Sequence, residues 1–167
     1  MWDIATGNCI KTLLGHSKEV CSIVILSNNI IVSCSSDKSI RIWDVESGDC
    51  IKILNGHTDY VWSIVKHSND CVLSCSWDET IKLWNVNSGE CLRTFMCHGH
   101  IVLCVEILPN ERIMSGSWDK TKKIWNVQTG DCIQTLEGQT RPVYFIKVLC
   151  EERIISGPYD GEIRVWC

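Results

Sequence analysis

The chain has 167 residues and a formal net charge of −4, with an isoelectric point near 5.7, so a general attraction to nucleic acid or to anionic membrane is not expected. No apolar run approaches a membrane span, and the opening Met1-Trp2-Asp3-Ile4 lacks the basic and apolar regions of a signal peptide. With Asn-x-Ser/Thr acceptor sites also missing, the expectation is a soluble intracellular protein, cytoplasmic or nuclear.

Taken in order, the elements are short and β-rich. Residues 1–4 read as the tail of a strand, Thr6-Gly7 as a turn, and Cys9 to Leu14 as an edge strand with the alternation Cys-Ile-Lys-Thr-Leu. Gly15-His16 opens a loop before a strand over Val20 to Leu26. Asn28-Asn29 turns the chain into Ile30 to Cys34, and Ser36-Asp37-Lys38 is a tight turn before Ile40 to Val45. The same order returns along the chain, giving four short strands per unit with brief turns between them, as antiparallel structure requires. The last strands, Val143 to Leu149, Arg153 to Gly157 and Glu162 to Trp166, have no fourth after them. Dense Ile, Val and Trp on both alternating positions predict sheets buried on both faces. No segment carries a helical period.

Twelve cysteines need a reason. Cys9, Cys50, Cys91 and Cys132 recur at one interval and fill a slot for a small apolar residue. Cys34 and Cys75 stand where the later copies have Gly116 and Gly157. No Cys-x-x-Cys occurs, which weakens zinc and redox readings. The one ligand-like cluster, Cys97, His98, His100 and Cys104, includes a histidine already in register with His16 and His57, so it reads as structural. Neither a metal nor a cofactor is expected, and the thiols should be free in a reducing compartment.

The interval itself is the strongest signal. Trp2, Trp43, Trp84, Trp125 and Trp166 are spaced by 41 residues without insertion or deletion. The stretch Ser74 to Val86 has copies at Ser33 to Val45 and Ser115 to Val127, and most of it recurs at Ser156 to Trp166. A repeat of roughly 40–45 residues, with Gly-His near one end and Trp-Asp near the other, signals a β-propeller array. Over essentially its whole length the chain resembles the WD40 (β-transducin) repeat family.

The resemblance implies an all-β array of four-stranded antiparallel blades within one repeat domain, residues 1–167. Residues 1–14 supply a strand end and an outer strand; 15–54, 55–95 and 96–136 are blades, and 137–167 is a blade of three strands. Family rings have about seven or eight blades, and closing four would set neighbours about 90° apart. The expected geometry is therefore an open arc. Two accounts of its ends stand side by side: half of an eight-blade ring completed head to tail by a second copy, or a piece of a longer propeller.

The resemblance also implies a hydrogen-bonded set in each blade, joining a loop histidine, a strand serine, a turn aspartate and the strand tryptophan. The sets are His16, Ser33, Asp37 and Trp43; His57, Ser74, Asp78 and Trp84; His98, Ser115, Asp119 and Trp125. In the fourth, Gln139 replaces histidine beside Ser156, Asp160 and Trp166, so that network should be weaker. A buried indole N–H only donates and needs an acceptor such as a serine oxygen. The His-Ser-Asp grouping is hydrolase-like, yet four tandem copies, each tied to the fold-forming tryptophan, are what a scaffold requires. Two further departures are Pro158, where the other copies have serine, and Lys122, where they have isoleucine. For Lys122 the expectation is a packed aliphatic stem with the amine in water, or a less covered face.

Residues that the repeat does not require carry the functional reading. At the face where family members bind peptides, the position before the turn aspartate is Ser36, Trp77, Trp118 and Tyr159. The start of each first strand brings Glu19 and Cys21, Tyr60 and Trp62, Ile101 and Leu103, Pro142 and Tyr144. Tyr60, Trp62, Trp77, Trp118, Tyr144 and Tyr159 are thus the candidate partner-binding rim, rich in the side chains that dominate binding hot spots. The bland alternative is that these rings pack on one another or between blades. The basic residues near the rim, Lys18, Lys38, Lys120 and Arg141, are too few for a phosphopeptide pocket.

The expected function is a non-catalytic protein–protein interaction scaffold that binds a peptide or protein segment. The repeat style, with Ser88-Gly89-Glu90-Cys91, also looks like the substrate-binding propellers of F-box ubiquitin-ligase receptors, which makes a recognition module of a ligase or signalling complex the alternative. A hydrolase or a nucleic-acid binder would need a working His-Ser-Asp set or a basic stripe, respectively.

Overall fold

In the computed structural model, which describes residues 2–27, 29–96, 98–150, 153–158 and 163–166, all regular structure is β. The first sheet holds β1 (Val20–Ile25), β2 (Ile30–Ser35), β3 (Ile40–Asp44) and β4 (Cys50–Leu54). The second holds β5 (Val61–Lys66), β6 (Cys71–Ser76), β7 (Thr80–Asn85) and β8 (Cys91–Met96). The third holds β9 (Val102–Leu108), β10 (Arg112–Ser117), β11 (Lys122–Asn126) and β12 (Cys132–Leu136). The fourth has three strands, β13 (Phe145–Cys150), β14 (Arg153–Gly157) and β15 (Arg164–Trp166). Every sheet is an antiparallel meander in sequence order, and the first strands lie side by side as β1, β5, β9 and β13. Nothing pairs the outer edge of β15 among the described residues, so the sheets are not closed into a ring.

Residues 9–14 depart from the expected edge strand. Only Cys9 pairs, in a single bridge to Trp2, and no ladder follows it. The alternation is there, but a strand exists only against a partner, and no described strand lies beside this segment. Instead Leu13 and Leu14 line a hollow beside Gly15, His16 and Trp43.

The core lies between sheets. Val32, Cys34, Ile40 and Leu54 of the first sheet pack with Val61, Val72 and Trp84 of the second. Leu73, Ile81 and Phe95 meet Val102, Ile113 and Trp125 of the third in the same way. Each of these aliphatic side chains contributes about 1.5–3 kcal/mol when fully buried. The third joint, built from Cys104, Met114, Val143, Ile146, Ile154 and the partly buried Trp166, is thinner.

At that joint Lys122 departs from the expectation of a water-exposed amine or an uncovered face. Lys122 is fully buried, at 0% exposure, and its amine makes no hydrogen bond. It neither escapes to water nor lies on an uncovered face: the Nζ sits 3.5 Å from the centroid of the Trp166 ring. The indole face attracts the cation, which offsets part of its desolvation.

Gly116 is explained by register. Ser22 faces Cys34 and Ser63 faces Cys75, whereas Cys104 faces Gly116. The thiol has changed strands, and a Cβ on Gly116 would meet the Cys104 Sγ at 2.7 Å and the Val143 Cγ1 at 2.6 Å.

Candidate functional site

The loop histidine, strand serine, turn aspartate and strand tryptophan meet in three sheets. In the second, Trp84 Nε1 donates to Ser74 Oγ at 2.8 Å, that oxygen lies 2.7 Å from His57 Nε2, and His57 Nδ1 lies 2.7 Å from Asp78 Oδ2. The first set repeats this with Trp43, Ser33, His16 and Asp37 at 2.8 Å throughout. The third does so with Trp125, Ser115, His98 and Asp119 at 2.9, 2.7 and 2.8 Å. Because the indole only donates and the carboxylate only accepts, the protons run one way. The serine hydroxyl donates to Nε2, and the Nδ1–H donates to aspartate.

The turn reinforces each set with residues that the sequence reading left out. Ser39, Thr80 and Thr121 donate their hydroxyls to the same aspartates at 2.6, 2.7 and 2.7 Å. Ser35, Ser76 and Ser117 accept the aspartate N–H at 3.0, 3.0 and 3.1 Å. Their 41-residue recurrence was the available signal. Burial pushes the Asp37, Asp78 and Asp119 carboxyls up, but hydrogen bonds from the neighbouring hydroxyl, the histidine and the backbone outweigh it and hold all three below the usual carboxylate range. Burial lowers the pKa of His98, against the pull of Asp119, in keeping with a neutral ring.

In the fourth sheet Trp166 Nε1 and Gln139 Nε2 both donate to Ser156 Oγ, at 2.9 and 3.0 Å. Asp160 lies outside the described residues. Pro158 stands where Ser35, Ser76 and Ser117 clamp the turn. The four serines of the sets are at most 4% exposed and each oxygen is held by an indole N–H, so none presents a nucleophile to solvent.

The candidate ligand cluster is dispersed. His98 is spent on Ser115 and Asp119, His100 stacks on Trp118, and the buried Cys104 thiol faces the Val143 carbonyl, its pKa raised by burial to about 12. Cys97 lies outside the described residues. Among the described residues no group of three or more His, Cys, Asp or Glu side chains could hold a metal ion.

The rim aromatics form two clusters. Bulges at the start of β1, β5 and β9 leave Cys21, Trp62 and Leu103 unpaired with β2, β6 and β10, which re-aims their side chains. Trp77, on the turn after β6, donates its backbone N–H to the Tyr60 carbonyl at 2.9 Å. Its ring lies 5.1 Å from Tyr60 and 5.9 Å from Trp62, tilted by 39° and 35°. The second cluster spans two sheets: Trp118 stacks on His100 at 6.0 Å and meets Tyr144 edge-on at 6.0 Å. Thus the rings do pack on one another, yet Trp118 stays 42% exposed and Tyr60, Trp62, Trp77 and Tyr144 stay half-buried. Trp62 and Tyr144 also line one hollow bounded by β1, β5, β9 and β13. His100 joins the candidate set, and Tyr159 lies outside the described residues.

Comparison with known proteins places this geometry. The family model "WD domain, G-beta repeat" matches residues 7–44, 48–85, 89–126 and 130–167. Among solved structures, the crystal structure of the WD40 beta propeller domain of Doa1 aligns with a TM-score of 0.87 and 29% sequence identity. The alignment covers 93% of this chain and 53% of that one, so the chain spans about half the length of that propeller. No curated protein matches. WD40 propellers generally serve as protein-interaction scaffolds, and with four matched repeats, each built on its own indole, the chain belongs to the WD40 repeat family.

Proposed function

We propose that this chain is a non-catalytic interaction scaffold that captures a peptide or protein segment on the aromatic rim of Tyr60, Trp62, Trp77, Trp118 and Tyr144, with His100. The observation that carries this reading is the pair of partly exposed ring clusters, of which Trp62 and Tyr144, one from each, line a shared hollow. Surface tryptophan and tyrosine give large contact area at low entropic cost. Use as a recognition module of a ligase or signalling assembly is the same reading at a larger scale. The test is capture of partner proteins, identified by mass spectrometry, with the unaltered chain and with Trp77→Ala plus Trp118→Ala. Partners lost with circular dichroism unchanged support the rim, and an unaltered partner set overturns it.

A second reading concerns assembly. Ile163 and Val165 are exposed beside the unpaired edge of β15, while Ile10 and Leu14 are exposed on a segment without a ladder. Such edges and patches are normally covered. Segment 9–14 of one copy has the alternation to pair with β15 of another, which would join two chains head to tail. The mass of the chain in solution tests this.

A further inference from the structure

The two aromatic clusters differ in what surrounds them. The one in the second sheet faces the first across an open hollow lined by Glu19, Cys21, Ser36, Tyr60, Trp62 and Trp77. Trp77 is tilted against both Tyr60 and Trp62, so the three rings do not form a flat stack. Lys18 reaches across from the exposed loop before β1 and holds its Nζ 5.2 Å from the Tyr60 ring centroid, so a cation of the chain's own already rests on this cluster. Next to it, the exposed Glu19 carboxylate makes no hydrogen bond or ion pair among the described residues. Its backbone carbonyl, by contrast, is fixed by the Ser36 N–H at 2.9 Å.

From these observations we infer that the hollow between the first and second sheets receives an organic cation from the partner, a guanidinium or a methylated ammonium, against Tyr60, Trp62 and Trp77 with Glu19 as counter-charge. This deepens the rim reading above and rests on it. The negative faces of electron-rich rings attract cations, and the attraction grows where the cation sheds little water. Guanidinium and methylated ammonium are more weakly hydrated than a primary ammonium, which would ask the apolar wall for hydrogen bonds it does not offer. Lys18 is then the resident competitor: its exposed stem is free to swing out when a better-suited cation arrives.

The test uses the full chain and small probes, with no partner present. Choline and methylguanidinium chlorides are titrated at constant ionic strength against the indole NMR signals, with 3,3-dimethyl-1-butanol, the neutral isostere of choline, as control. Both cations are expected to shift the Trp62 and Trp77 signals, and the neutral alcohol to do so about tenfold more weakly. The tighter cation names the source, methylated lysine or arginine. Lys18→Ala should tighten cation binding about threefold and Glu19→Gln should weaken it by a similar factor, both changes being at the surface. Equal response to the neutral alcohol, or cation binding unmoved by both substitutions, overturns the inference. Partner capture that still depends on Trp77 and Trp118 would in that case leave the rim reading standing.

Discussion

At the scale of single residues, each indole commits the groups around it. Trp84 is 1% exposed, and its N–H, the Ser74 hydroxyl, His57 and Asp78 satisfy one another in a line. Removing the carboxylate strands a buried imidazole N–H, so Asp78→Ala should cost about 2–3 kcal/mol in chemical denaturation; Trp84→Ala should cost about 3–5 kcal/mol through its cavity. Since the folded carboxyls of Asp37, Asp78 and Asp119 lie below their unfolded values, their contribution is complete above about pH 4 and is lost as pH falls through the folded values. Asp78→Asn should therefore flatten the acid limb of the stability profile. Gln139→His should raise the melting temperature slightly by restoring the missing acceptor beside Ser156. Lys122 makes the opposite case. Burial, then the charge of Arg164, pulls its pKa down to about 8. A folded amine that is a weaker base than the unfolded one destabilises fully below about pH 8, and the effect fades as pH rises to the ordinary lysine value. Lys122→Ile, the residue type of the other copies, should stabilise by about 2 kcal/mol near neutral pH, with a gap that narrows in alkaline buffer.

At the scale of elements, the middle strands carry the burial and the outer segments do not. β2, β6 and β10 are almost wholly buried, whereas β12 is exposed along most of its length and residues 9–14 have no ladder. Hydrogen exchange should rank them accordingly, with 9–14 exchanging fastest and β6 slowest. Slow exchange in 9–14 would mean that another strand covers it in solution. The aromatic clusters follow from element geometry as well. Trp77 and Trp118 were legible in the sequence from their place before the turn aspartate, and Tyr60, Trp62 and Tyr144 from the start of the first strands, but which rings meet was not. Trp118 contacts Tyr144 of the next sheet because the fourth sheet packs on the third, and nothing in the linear order ranks that contact above one with Trp77.

For the molecule as a whole, the uncovered edge of β15 and the unladdered segment 9–14 bear on assembly. If segment 9–14 completes the fourth sheet of a second copy, light scattering should give about twice the 19.0 kDa chain mass, and deletion of residues 1–14 should abolish that species. A well-behaved monomer would overturn the pairing.

The 41-residue spacing and the indole at its close were enough to determine the all-β repeat architecture, and the family resemblance they carry implied the three His-Ser-Asp-Trp sets that meet in the first three sheets. Each of those rests on contacts inside one repeat, whose partners are a fixed number of residues apart. Contacts between repeats were decided only in three dimensions. Within the third sheet, the exchange of Cys34 and Cys75 for Gly116 was legible in the sequence, but that Cys104 lies opposite that glycine shows only in the strand register. For Lys122 the sequence predicts an amine in water or a less covered face, whereas packing of the fourth sheet on the third buries it under the Trp166 ring. Residues 9–14 have the alternation of a strand and are not one here. Alternation sets which side chains share a face, but a strand forms only where a neighbouring backbone offers its hydrogen bonds.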